Sequence, residues 1–264
     1  MSSSRSRQRL RLPDVLVHGA SALTLLALAA PATAGGTYTI FQVKGAEDTY
    51  VWAINAGGAV AGSYIDSDGE HGFVRSPDGT ISTFDPQESG LSFATGINSK
   101  GEISGVWYDC ANGCIGHGYL RQPNGKIVDI DPPGSTYTEV GGINDSGTVA
   151  GSYDDAGGDE HGFIRTADGT ITTFDPAGSI ATGPTAINTN GDVTGVFVDG
   201  GGSNHGFLRI ADGTIAIFDA GQDGLTLPLA LNDQDAITGY WGNSIHGFVR
   251  SPDGTITSFD PRGT

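Results

Sequence analysis

Five histidines recur along the chain at intervals of about 44 residues, each followed by glycine and then an aromatic residue. An arginine stands two residues beyond each aromatic. The histidines are His71, His117, His161, His205 and His246, and the arginines are Arg75, Arg121, Arg165, Arg209 and Arg250. Histidine can bind metals or move protons, and arginine can bind anions. Five equal copies instead favour a structural role repeated once per unit.

Geometry argues against a shared metal ion. If the repeats form a ring of four-stranded sheets, strand spacings of ~4.8 Å place equivalent histidines roughly 18 Å apart. Zinc ligands must lie within ~2.1 Å of the ion. We therefore predict no metal site and one hydrogen-bonded histidine per repeat. The arginines are expected to pair with nearby acids, for which the candidates are Asp85, Asp131, Asp175, Asp219 and Asp260.

The elements that carry these residues also repeat. An Ile-Asn or Leu-Asn pair opens each copy, starting near residues 54, 97, 143, 187 and 231. A turn that usually ends in glycine follows, although Asp235 takes that place in the fifth copy. Ser-Pro-Asp-Gly at 76–79 and 251–254 is typical of a type I turn with a glycine bulge between antiparallel strands. Each copy thus contains four short strands, the third beginning at the histidine.

Four strands in about 44 residues is the size of a β-propeller blade. A β-solenoid also repeats, but its turns are about half as long. The sequence therefore predicts an all-β fold, a five-bladed β-propeller in which residues 35–264 form one domain. Residues 36–41 match the fourth strand at 79–84, and the last repeat has its own copy at 254–259. The last blade could gain a fifth strand, one copy could fray, or the ring could belong to a longer array.

These motifs resemble the bacterial HAF-type extracellular repeat family, which is named for a His-Ala-Phe tripeptide in repeats of this length. The resemblance runs from Ile54 to the end of the chain, with glycine in place of the alanine and arginine where the family often has tryptophan. It implies export and a propeller-like array. It brings no established catalytic residues.

Composition narrows the classes of partner. Residues 1–34 combine four arginines, an apolar run and Ala32-Thr33-Ala34, which predicts a signal peptide and a secreted, periplasmic or extracellular protein. No later segment is predicted to span a membrane. Nine basic and 29 acidic residues remain after the leader, a net charge of −20. That charge excludes nucleic acids as partners, while carbohydrate or protein ligands remain possible. The protein is expected to be a monomer.

Residues that break the symmetry are the candidates for binding. Trp107-Tyr108 and Tyr240-Trp241 each place two aromatics in succession, so one of each pair could stack on a sugar ring, although packing between blades is the alternative. The acidic loops 66–70 and 154–160 could attract calcium, but neither completes a calcium-loop pattern, so no cofactor is expected. Cys110 and Cys114, the only cysteines, are predicted to form a disulfide.

No nucleophile elbow or zinc-protease motif occurs, and the unrepeated acids lie in loops. The sequence therefore favours a secreted, acidic propeller that acts as a binding or surface-interaction module, with carbohydrate as the candidate ligand. The alternative is a five-bladed carbohydrate-active enzyme similar to a glycoside hydrolase. A close carboxylate pair in one central pocket would favour that alternative.

Overall fold

The computed structural model describes residues 38–88 and 90–260. Twenty strands in these residues form five antiparallel units of four strands, and within each unit the strands pair in chain order. Short 3-10 helices occur at Pro86–Glu88 and Cys110–Asn112. The predicted signal peptide, residues 1–34, lies outside the described residues. Residues 38–42 form no helix or strand, so the predicted extra strand is not seen in the part of 36–41 that is described.

The units follow one another along the chain. Unit 1 contains β1 (Asp48–Ile54), β2 (Val60–Asp66), β3 (Gly69–Arg75) and β4 (Ile81–Phe84). Unit 2 contains β5 (Ser92–Ile97), β6 (Ile103–Asp109), β7 (Ile115–Arg121) and β8 (Ile127–Ile130). Unit 3 contains β9 (Tyr137–Ile143), β10 (Val149–Asp154), β11 (Glu160–Arg165) and β12 (Ile171–Phe174). Unit 4 contains β13 (Ser179–Ile187), β14 (Val193–Asp199), β15 (Asn204–Arg209) and β16 (Ile215–Phe218). Unit 5 contains β17 (Thr226–Leu231), β18 (Ile237–Trp241), β19 (His246–Arg250) and β20 (Ile256–Phe259).

The turn residues explain why these hairpins form. Gly79, between β3 and β4, has φ of +93°, and its amide donates to the carbonyl of Ser76 at 2.9 Å. The amide of Ser76 in turn donates to the carbonyl of Thr80 at 2.8 Å, closing the predicted type I turn with its glycine bulge. Asp235 adopts φ of +61° where the other units have glycine, a left-handed conformation that aspartate tolerates better than most residues.

The hydrophobic core is divided into layers between consecutive units. At the junction of units 3 and 4, Ala150 and Ile164 of unit 3 pack with Val193, Phe197 and Phe207 of unit 4. Equivalent clusters join units 1 and 2, 2 and 3, and 4 and 5. Both faces of each internal sheet are therefore covered, which is why the third strand carries apolar residues on both sides. Within residues 43–260, β1 and β17 do not pack together as consecutive inner strands do.

An asparagine ladder links the inner ends of the units. Each asparagine after the first strand donates its side-chain amide to the backbone carbonyl of the equivalent asparagine in the next unit. The distances are 2.8 Å for Asn55 to Asn98, 3.1 Å for Asn98 to Asn144, 3.0 Å for Asn144 to Asn188 and 3.2 Å for Asn188 to Asn232. The side-chain oxygen meanwhile accepts backbone amides of its own turn, such as those of Ser146 and Thr148 at Asn144. The repeated Ile-Asn pair thus holds a turn and a neighbouring unit together.

Candidate binding site

Each repeated histidine is held between a carboxylate and an aromatic ring. Its Nδ1 lies 2.7–2.8 Å from an aspartate that follows the fourth strand of its own unit, namely Asp85, Asp131, Asp175, Asp219 or Asp260. Its ring lies 4.5–5.4 Å from the aromatic at or near the end of the second strand, namely Tyr64, Trp107, Tyr153, Phe197 or Trp241. The histidines therefore have the local hydrogen-bonded setting that the sequence predicted.

The five aspartates pair with the histidines and not with the arginines. The charges of Arg75, Arg209 and Arg250 act instead on acids of the adjoining turns, namely Asp78, Asp212 and Asp253. Strand register gives the reason, because Gly72 pairs with Phe84 and Arg75 pairs with Ile81, at opposite ends of the same hairpin. Asp85 therefore lies beside His71, while Arg75 is several residues further along the strand. In three junctions the guanidinium lies over the fourth-strand phenylalanine of the preceding unit, at 4.7–5.1 Å from the ring centre for Arg121, Arg209 and Arg250. These arginines serve packing between units.

Three histidines have a second carboxylate near Nε2. Asp66 lies 3.2 Å from His71 and Asp199 lies 3.3 Å from His205, whereas Asp155 is 3.7 Å from His161. Burial opposes protonation of each of these rings. Hydrogen bonds and charges from the paired aspartates outweigh that effect and raise the pKa of all three histidines. The imidazolium form is therefore more stable at these sites than in a free histidine.

A surface cavity of about 200 Å³ lies at the junction of units 3 and 4. One wall is the His161–Asp175 pair, and Thr182 of unit 4 donates its hydroxyl to Asp175 at 2.7 Å. Ile180, exposed on β13, contributes an apolar side. The lining residues are Asp159, Glu160, His161, Asp175, Ser179 and Ile180. Carboxylates beside an aliphatic surface suit a neutral ligand with several hydroxyl groups. Sequence reasoning missed this site because it forms across two units.

The aromatic candidates occupy two different settings. Trp107 and Trp241 stack on His117 and His246, and their indole N–H groups donate to Asp129 at 3.1 Å and Ser258 at 2.9 Å. Both tryptophans also border the layers between units.

Their neighbours differ from each other. The hydroxyl of Tyr108 lies 3.2 Å from that of Tyr137, which donates to Glu139 at 2.9 Å. Tyr240 is half-buried, and burial raises the pKa of its hydroxyl. The structure therefore does not bring the two aromatic pairs into one site: Trp107 and Tyr108 lie in unit 2, and Tyr240 and Trp241 in unit 5.

A carboxylate pair that the sequence did not single out lies between units 4 and 5. Asp192 is buried, and Asp235 lies near it across the junction. The Asn188 amide donates to both, at 3.0 Å to each carboxylate. Burial first, and then the charge of Asp192, raise the pKa of Asp235. A glycosidase needs its two carboxyl groups ~5–9.5 Å apart with substrate between them, whereas here the buried Asn188 amide bonds both carboxylates.

The remaining candidates concern covalent and metal chemistry. Cys110 and Cys114 are joined in a disulfide next to the second-to-third-strand loop of unit 2. Within residues 38–88 and 90–260, no cluster of three or more histidine, cysteine, aspartate or glutamate side chains is arranged to hold a metal ion. The same residues include no helix long and apolar enough to cross a bilayer.

Solved structures with similar architecture decide the fold. A catalytically inactive virginiamycin B lyase from Staphylococcus aureus, with quinupristin, aligns with 83% of this chain and 72% of its own at a TM-score of 0.55 and 16% identity. TolB from Acinetobacter baumannii aligns at a TM-score of 0.59 and 14% identity, over 79% of this chain and 53% of TolB. The fold is a β-propeller.

A third similar propeller binds sugar. A variant of the Aleuria aurantia lectin, in complex with α-methyl-L-fucoside, aligns at a TM-score of 0.50 and 14% identity, over 82% of this chain and 78% of the lectin. No family model matches the sequence of this propeller. No curated protein matches it either. At identities of this level the likeness concerns the scaffold and leaves the site to be argued from its own residues.

Proposed function

We propose that the chain is a secreted, acidic, five-bladed β-propeller that binds carbohydrate at its surface. The observation that carries this proposal is the cavity between units 3 and 4. There, Glu160 and Asp159 offer acceptors to sugar hydroxyls, and Ile180 offers an apolar surface to the C–H face of a sugar ring. A similar scaffold in the Aleuria aurantia lectin holds a fucoside. The signal peptide would deliver the module to glycans outside the cytoplasm.

The charge of the protein restricts the class of sugar. With a net charge of −20 after the leader, the surface repels sulfated and uronic-acid glycans. The cavity adds three carboxylates of its own, from Asp159, Glu160 and Asp175. Neutral or amino sugars are therefore the proposed ligands. Trp107 with Tyr108 in unit 2, and Tyr240 with Trp241 in unit 5, are two further proposed locations, where stacking would dominate.

A glycan array with the secreted protein tests the function, and hydrolysis of each bound glycan is followed in parallel. Binding of neutral or amino sugars without hydrolysis is the expected outcome. Release of product would favour the enzyme, and failure to retain any glycan would overturn the carbohydrate proposal.

Variants locate the site. Glu160→Asn introduces the residue that unit 4 carries at the equivalent position, Asn204, and should weaken binding by about tenfold if one charge-assisted hydrogen bond is lost. Glu47→Gln, an exposed charge in unit 1, is the matched control.

Trp107→Ala and Trp241→Ala distinguish stacking on a ligand from packing within the protein. A packing tryptophan costs about 3–5 kcal/mol of stability. A stacking tryptophan loses affinity with little change in Tm.

A further inference from the structure

The two ends of the array expose the two halves of the interface that joins its internal units. We define the entry face by Ile54 and Asn55 of unit 1, and the exit face by Ala230, Asn232 and Thr238 of unit 5. Ile54 is 68% exposed, whereas its equivalent in unit 2, Ile97, is 8% exposed. Residues 230, 232 and 238 are exposed, whereas the equivalents of Thr238 in units 1–4 are buried. The same sequence positions are thus covered inside the array and open at its ends.

Side-chain packing inside the array shows what these faces fit. The first-strand isoleucine of one unit rests on the small residue that precedes the matching isoleucine of the unit before it. A methyl group of Ile143 lies 3.2 Å from the Cβ position of Gly96, and one of Ile187 lies 3.8 Å from that of Gly142. Ala53 likewise packs in the layer that contains Ile97. At the ends of the array, Ala230 occupies the small-residue position but no isoleucine packs on it. Ile54 occupies the isoleucine position but packs on no small residue of a preceding unit.

The asparagine ladder is open at the same two places. Among the described residues, the side-chain amide of Asn232 donates to no partner, while its oxygen accepts the amides of Gln234 and Ala236. The carbonyl of Asn55 accepts the amide of Gly58 within its own turn, as its equivalents do, but receives no asparagine amide from a preceding unit. One free donor and one open acceptor therefore stand at opposite ends of the array.

We propose that the exit face of one copy binds the entry face of a second copy of this chain. Ile54 of one copy would rest on Ala230 of the other, and the Asn232 amide would donate to the Asn55 carbonyl. Within residues 43–260 the two faces do not meet in one chain, because β1 and β17 do not pack together as consecutive inner strands do. Docking a second copy leaves the four layers between units as they are. This head-to-tail contact departs from the monomer and from the single-chain five-bladed ring expected from the sequence, and it produces a larger ring or a filament.

Sedimentation across the micromolar range tests the proposal with the full exported chain. The expected result is reversible, concentration-dependent self-association. Ile54→Glu should weaken it by at least about tenfold, since the carboxylate would be buried against Ala230. Ile217→Glu, an exposed position on β16 away from both faces, should leave it unchanged. Thermal melts establish that both variants fold. Equal association of wild type and Ile54→Glu would overturn the proposal, as would a monomer at every concentration.

Cross-linking identifies the partner. Ile54→Cys and Ala230→Cys are prepared as separate chains and mixed under mild oxidation. A disulfide between one chain of each kind is the expected product, and neither chain alone should give it. The doubly substituted chain provides the decisive contrast at high dilution. A cross-link confined to single chains would show that the array closes on itself and would contradict binding of a second copy.

Discussion

Units 3 and 5 carry the same motif in different surroundings. In unit 3, Asn144 is buried and donates to unit 4, and Asp175 accepts both His161 and the Thr182 hydroxyl of unit 4. In unit 5, Asn232 is exposed and Asp260 is bound by His246. Identical residues therefore contribute differently to the free energy of unfolding, because many of their contacts are made with the following unit. Each repeat supplies one side of the interface with each neighbouring unit.

The sharpest test of this difference is Asn144→Ala. It removes the inter-unit hydrogen bond and two bonds to the turn at a buried position, which should cost about 3 kcal/mol of unfolding free energy. Asn232→Ala is the control, because it removes the same two turn bonds at an exposed position and with no inter-unit bond, at about 1–2 kcal/mol. Chemical denaturation of both at low protein concentration measures the difference. Equal losses would contradict the neighbour's contribution.

A second test compares the histidines of the same two units. His161→Ala leaves Asp175 with only the Thr182 hydroxyl and without its histidine partner, which should cost about 1–3 kcal/mol. His246→Ala should cost less, because Asp260 is more exposed than Asp175 and water can solvate it. Glycan binding by His246→Ala should stay at the wild-type level once the variant is folded. His161 lines the proposed cavity, so its variant is compared by stability alone. A normal melt with lost binding at His246 would contradict its structural role.

The pH dependence of stability tests whether protonation of the histidines stabilises the fold. The pKa values of His71, His161 and His205 are raised above the ordinary ~6.5, so their stabilising protonation is fully present below about pH 6.5. It is lost as the pH rises through the raised values, so Tm should fall as the pH increases above about 6.5. Replacing all three by glutamine should flatten this slope. A Tm that rises over the same interval would contradict the assigned direction.

Much of this arrangement follows from the sequence, and the limit is physical. The Ser-Pro-Asp-Gly turn fixes the hairpin, and counting outward from it pairs Arg75 with Ile81 and Gly72 with Phe84. That count places Asp85 beside His71 and away from Arg75. The sequence alone therefore predicts that the aspartate pairs with the histidine and not with the arginine. Contacts within one unit are therefore predictable, because a turn sets the register.

Contacts between units were less accessible. The Asn188 amide that bonds both Asp192 and Asp235 links units 4 and 5, and this contact depends on how the two sheets are rotated. The cavity beside Ile180 depends on the same rotation. The one available signal was Asp235 itself, an acid at a turn position held by glycine in the other units. The departure from the repeat at Asp235 indicates an unusual position in the sequence, but its neighbour Asp192 is identified only by the packing of the two units.

The smallest expected effect concerns that break. Burial and the Asp192 charge raise the pKa of Asp235, so its ionised form destabilises the folded protein at pH values above the ordinary ~4 of a free carboxyl. Asp235→Asn removes this charge, tolerates the left-handed φ and keeps an oxygen for the Asn188 amide, so it should add about 0.5 kcal/mol at pH 7. The gain should vanish on acidification, where Asp235 is protonated.

Asp233→Asn is the neighbouring control and should lower stability instead, because the Asp233 carboxylate accepts the Thr189 amide and has a lowered pKa. Denaturation at pH 7 and pH 3 compares the variants. A loss of stability in Asp235→Asn at pH 7 would contradict the prediction, because it would show that the ionised Asp235 carboxylate stabilises this junction.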